Sequence, residues 1–251
     1  MASKTFNIAL VDTTDLILQE DFLAVAKAIQ VQVSRDFAPV WDVDAVIEGF
    51  PSLSEVSPGF WPVTVDKVMD IQGVNGYHWV DDKGIPFSKV LYRDGWSLTA
   101  SHEILEMLVN PYVNKMKVFK ALDGSGQDVE YLVEVSDPVE DKDYGYRING
   151  VLVSNFYYPA FFDLTTTEGK KYDHLGWLRE PRKLLNGGYI SWRNAAGEWF
   201  QAFMLENKLI FKKLGEATPL TTAETKKVLS IVGFSLLILS SIVFLVRLFR
   251  K

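Results

Sequence analysis

The segment Trp96-Ser-Leu-Thr-Ala-Ser-His-Glu-Ile-Leu-Glu-Met-Leu-Val-Asn-Pro111 carries His102, Glu103 and Glu106 at spacings suited to metal chemistry. Residues four apart on a helix project from the same side, so His102 and Glu106 can grip one cation while Glu103 stands beside them. Imidazole and carboxylate are both ordinary zinc donors, and a neighbouring glutamate can act as general base toward a water that the metal polarises. The more familiar residue at the last position is a second histidine. Glu106 is a harder donor and adds negative charge, which weakens the activation of that water. The competing reading of the same side chains is the polar face of a surface helix.

A third ligand has to come from elsewhere, and Glu134-Val-Ser-Asp-Pro-Val-Glu140 is the best source, at the end of an apolar strand-like run. Acids crowded between Glu134 and Asp143 repel one another unless they are solvated or neutralised by a cation. Glu134, Asp137 and Glu140 lie nearest the apolar run and are expected to point inward, whereas Asp141 and Asp143 read as an exposed loop. His174 is an outside candidate for a ligand or a hydrogen-bond donor, against the plainer reading of a structural loop histidine. His78 falls in a strand-like segment, where it could line a substrate cleft, but it is expected at the surface.

The elements that must hold these groups can be traced along the chain. Phe6 to Val11 reads as a strand, and Asp15 to Phe37 carries Leu16, Phe22, Leu23, Ala26, Ile29 and Val33 at helical spacing. Trp41 to Glu48 and Pro62 to Met69 alternate as strands, with turn residues between them. Gly76 to Val80 and Ile85 to Tyr92 form a hairpin or sheet edge, with Pro86 where no ladder donor is needed. The His102 helix follows, capped by Ser97 or Thr99 and stopped by Pro111. Lys117 to Leu122 and Glu130 to Val135 read as further strands, and the aromatic-rich remainder as core and loop packing.

Of the 251 residues 48% are hydrophobic, enough for a sizeable core. A formal net charge of −6 argues against nucleic acid as a partner. With no cysteine, His, Asp and Glu are the available metal ligands. No Gly-x-Ser-x-Gly elbow favours a serine hydrolase. Residues 228–246 run without a charge between basic flanks and read as a single transmembrane helix. The organisation expected is therefore a soluble α+β domain over residues 1–205, a polar linker over 206–227, the span, and a basic tail over 247–251. Lacking a secretory signal, the chain is expected to be tail-anchored with its N-terminal domain on the cytoplasmic side.

The order strand, long helix, strands, edge hairpin and His-Glu helix resembles the zincin metallopeptidase fold. The strings Leu98-Thr-Ala-Ser-His-Glu-Ile-Leu-Glu-Met-Leu108 and Tyr131-Leu-Val-Glu-Val-Ser-Asp-Pro-Val-Glu140 resemble those of a little-characterised bacterial and phage group of zincin-like proteins. Asn149 to Ser154 and Leu185 to Trp192 resemble that group as well, so the similarity covers about residues 5 to 200. The resemblance implies His102 as a zinc ligand and Glu103 as base. Glu106 departs from the second-histidine pattern. Two functions follow as expectations. One is a membrane-anchored, zinc-dependent hydrolase acting on peptide bonds, its metal held by His102, Glu106 and one of Glu134, Asp137 or Glu140. The other is a catalytically inactive zincin-like protein with a structural or interaction role at a membrane, for instance in a phage or virus particle.

Overall fold

In the computed structural model, which describes residues 4–214, strand β1 (Lys4–Asp12) is an interior strand of the first sheet, and its residues Ile8 to Val11 are all buried. An unbroken apolar run of this kind suits a strand flanked by parallel neighbours and covered on both faces. Those neighbours are β2 (Val43–Phe50) and β3 (Phe60–Asp66), both parallel to β1. The sheet continues through β5 (Pro86–Leu91), parallel to β3, to β4 (Gly76–Val80), which is antiparallel to β5 and outermost. Its order is thus β2-β1-β3-β5-β4. The β4–β5 turn is fixed by the Asp81 carboxylate, which accepts the backbone N–H groups of Lys83 and Ile85.

Between β1 and β2 runs α1 (Gln19–Val31), which passes through a π-helical turn, Gln32–Phe37, into the short α2 (Ala38–Trp41). The predicted helix over 15–37 therefore starts later and changes pitch. Asp15 sits in the left-handed region, which no α-helix accommodates, so the helix begins beyond it, and Leu16 and Leu23 remain exposed. Phe22, Ala26, Ile29 and Val33 are buried as their spacing requires.

Helix α3 (Trp96–Val109) follows β5 and packs on β4 and β5. Neither Ser97 nor Thr99 caps it. Gly95 occupies the N-cap with no side-chain bond, and the Ser97 hydroxyl donates instead to the Leu152 carbonyl. Every residue from Ala100 to Val109 is buried except His102, which is half-buried. The reading of a surface helix with a polar face is overturned.

The second sheet comprises β6 (Met116–Lys120), β7 (Asp128–Leu132), β10 (Tyr189–Arg193), β11 (Trp199–Leu205) and β12 (Lys208–Lys213). It is antiparallel throughout, in the order β12-β11-β10-β7-β6. A small hairpin of β8 (Tyr146–Ile148) and β9 (Val151–Val153) sits against α1 and α3. One continuous apolar core joins both sheets and α3, with Phe156, Tyr157, Phe161 and Trp192 deep within it. Trp177 and Phe211 are exposed aromatics of this C-terminal part.

Strand β12 corrects the expected boundary at residue 205. Glu206 and Asn207 both take positive φ, the conformation of a tight two-residue hairpin turn, and return the chain onto β11 over residues read as linker. The rest of that linker, the expected span at 228–246 and the basic tail lie outside the described residues. Among the described residues no helix is long and apolar enough to cross a membrane.

Candidate metal centre

Helix α3 presents His102 and Glu106 together, with His102 Nε2 3.2 Å from Glu106 Oε1. The segment after β7 supplies the facing acids. It passes Glu134 and enters a single 3-10 turn, Asp137–Val139, closed by the Val139 N–H on the Ser136 carbonyl. Residues three apart on such a turn share a side, which brings Asp137 and Glu140 round together. Asp137 Oδ1 lies 3.2 Å from His102 Nε2. His102, Asp137 and Glu140 each offer one donor atom within 4.8 Å of the others. The turn is held in place from below, where Leu185 donates to the Pro138 carbonyl and Gly188 approaches so closely that a Cβ there would meet Pro138 O at 2.3 Å.

Glu106 is held by the same turn. Its Oε1 accepts the backbone N–H groups of Ser136 (3.1 Å) and Asp137 (3.2 Å), so the helix residue and the acidic segment fix each other.

Strand β4 closes the other side, and alternation puts Gly76 and His78 on its inner face. His78, expected at the surface, is only 7% exposed, and its Nε2 is 3.1 Å from Glu134 Oε2. The Asn110 side chain at the end of α3 donates to the other oxygen of Glu134 (2.9 Å) and accepts the N–H groups of Asn114 and Lys115. His78, Glu106 and Glu134 form a second group whose donor atoms fall within 4.8 Å of one another. Glu103, 6% exposed, lies against Gly76 and lines the same cleft, which has a volume of about 1250 Å³.

All the acids expected to point inward do so, while Asp143 is exposed and Asp141 is half-buried, capping the next turn. His174 joins neither group. It stacks on Phe156, lies 3.8 Å from Asp36 and 3.4 Å from the Tyr158 hydroxyl, and burial lowers its pKa.

The electrostatics follow from burying five carboxyl groups with two imidazoles. Burial pushes Glu103 up to about 8, with His102 pulling against it and Glu106 adding to it. Burial, then the Glu106 charge, holds Glu134 and Asp137 well above the carboxylate range, and burial foremost does the same for Glu140. Glu106 goes the other way: burial raises it, but His102, His78 and the Ser136 N–H together outweigh that and bring it down. His102 is raised well above its ordinary value because Glu106 and Asp137 outweigh its burial. Around this centre Glu140 Oε1, His78 Nδ1 and the Tyr157 hydroxyl are buried without a hydrogen-bond partner. A cation that displaces the protons these crowded acids retain, and that takes up their unpartnered atoms, suits such a set of donors.

Sequence reasoning missed His78 as a member of the centre and Asn110 as the support of Glu134. The alternation of β4 carried a signal for His78, since Gly76 and His78 share a face, but which face meets Glu134 depends on the second sheet.

No protein-family model matches the chain, and no curated protein or solved structure matches it.

Proposed function

We propose that the chain is a metal-dependent hydrolase of zincin-like architecture, acting on peptide bonds with zinc as its ion. The carrying observation is that His102 Nε2 has a carboxylate oxygen of Glu106 and another of Asp137 each at 3.2 Å, with Glu140 beside them and Glu103 one residue along the helix. Two donors at about 2.0–2.1 Å from a tetrahedral zinc stand about 3.3 Å apart, so these separations suit ligands of one ion. His102, Glu106, Asp137 and Glu140 are the residues to hold it. The order strand, long helix, strands, edge hairpin and His-Glu helix supports the zincin-like reading.

Zinc, when bound, supplies a Lewis acid that polarises a carbonyl and acidifies water. Glu103 accepts and returns a proton at its carboxylate. A value raised to about 8 in the metal-free cluster, drawn down by added positive charge, suits a base working near neutral pH. Peptide substrates are favoured by the position of β4, which is outermost in its sheet and borders the cleft, so an extended chain can add beside it through backbone hydrogen bonds. A C-terminal membrane anchor is part of this reading and rests on the sequence of residues 228–246.

The test is metal analysis of the full-length chain with turnover on a peptide library. Stoichiometric zinc, its depletion in His102→Ala, and loss of hydrolysis with zinc retained in Glu103→Gln are expected. A purified chain without stoichiometric metal defeats the proposal. Bound metal with no turnover turns the reading to the inactive zincin-like alternative, which the acid at 106 in place of histidine favours.

A further inference from the structure

We infer that His78, Glu134 and Glu106 form a second divalent-cation site beside the first, so that the centre is dinuclear and Glu106 serves both ions. This rests on the metal-dependent reading above and extends it to residues on a different strand.

Three observations carry it. The donors are of the right chemistry: an imidazole and two carboxylates, all less than 10% exposed, converge within 4.8 Å. Glu134 is also oriented as ligands are, one oxygen toward His78 and the other fixed by Asn110, which is itself locked by two backbone N–H groups. Lastly, the Tyr157 hydroxyl is fully buried and without a hydrogen-bond partner, and its pKa is raised by burial first and then by the charges of Glu134, Glu106 and Asp137. An unsatisfied polar group of this kind needs a ligand or a water to complete it.

Charge balance points the same way. With its carboxyl groups ionised and its imidazoles neutral, as metal binding requires, the cluster of Glu103, Glu106, Glu134, Asp137 and Glu140 carries five negative charges. One dication leaves three of them buried, and a second leaves one. Charge that no metal takes up is neutralised by protons the acids retain, so the second cation binds by displacing protons from Glu134 and its neighbours. Bridging carboxylates between paired ions are the arrangement in which two metals clamp the attacking and leaving oxygens of a displacement.

The experiment is zinc stoichiometry of the full-length chain after stripping and reloading with zinc alone, measured by elemental analysis on the wild type, His78→Gln, Glu134→Gln and His102→Ala. The wild type is expected to hold two ions per chain, and His78→Gln and Glu134→Gln one each. The remaining ion certifies that the fold stands. A wild type holding one ion, unchanged in His78→Gln but lost in His102→Ala, overturns the second site and leaves the proposed function intact. No ion in the wild type defeats both. Two ions retained in both His78→Gln and Glu134→Gln place the second elsewhere and also overturn the inference. If one variant fails to fold, the other decides.

Discussion

The Glu103 carboxylate occupies the space left by the missing side chain of Gly76: a Cβ there would stand 2.7 Å from Glu103 Oε1 and 2.6 Å from Thr99 Cγ2. Gly76→Ala must therefore push the glutamate away from β4 or part α3 from the strand. Overpacking of this sort costs about 1–3 kcal/mol. A base displaced by about 1 Å loses on the order of 10²-fold in rate. Because Glu103 belongs to neither ligand group, zinc content is expected to stay unchanged while kcat falls. Equal activity in a folded Gly76→Ala would remove Glu103 from the base role.

The metal-stripped protein is expected to lose stability as pH rises. Glu103, Glu134, Asp137 and Glu140 have folded-state values above their unfolded ones, so their stabilising contribution is complete below about pH 4 and is lost on passing upward through the folded values. His102, also raised, acts in the same direction. Glu106, lowered, contributes oppositely, and its share is lost as pH falls through its folded value. Melting temperatures in chelator from pH 5 to 9 should decline, with Glu103→Gln removing the part of the slope that extends to about pH 8. Zinc should restore the loss, since a ligand at about 100 times its Kd adds about 2.7 kcal/mol. A flat profile in chelator would contradict the buried-acid account.

Asn110→Ala frees one oxygen of Glu134 and two backbone N–H groups at the end of α3. A destabilisation of about 1–3 kcal/mol is expected, measured by urea unfolding. Removing a support of this type from a metal ligand lowers affinity about 10–100-fold. Competition with a chromophoric chelator measures that directly, and an unchanged zinc affinity would show that Glu134 needs no such support.

Gly188→Ala drives a methyl into the Pro138 carbonyl at 2.3 Å and the Asp137 carbonyl at 3.0 Å. Both are backbone atoms, so the 3-10 turn bearing Asp137 and Glu140 has to move. Zinc binding should weaken and the melting temperature drop, with the overpacking cost again about 1–3 kcal/mol. Full zinc affinity in the variant would show that the turn is not what positions these ligands.

The sequence by itself determined the local half of the centre. Four-residue spacing on one helix joins His102 to Glu106, Pro111 ends that helix, and the strand-helix-strand order with its Gly76 to Leu91 hairpin followed from periodicity and turn chemistry. The inward turn of Glu134, Asp137 and Glu140 was legible too, because they adjoin an apolar run. Only the tertiary structure decided the rest. Burial of α3 depends on what packs against it, so a helix whose own sequence allowed a solvated polar face lies between the first sheet and the β8–β9 hairpin. His78 reaches Glu134, fifty-six residues away, because the sheet edge and the end of β7 meet across the core. Residues 208–213 became a strand for a similar reason: a lysine-rich segment reads as linker until a partner edge offers it hydrogen bonds. Periodicity states which side chains share a face, and only the packing of distant elements states what that face meets.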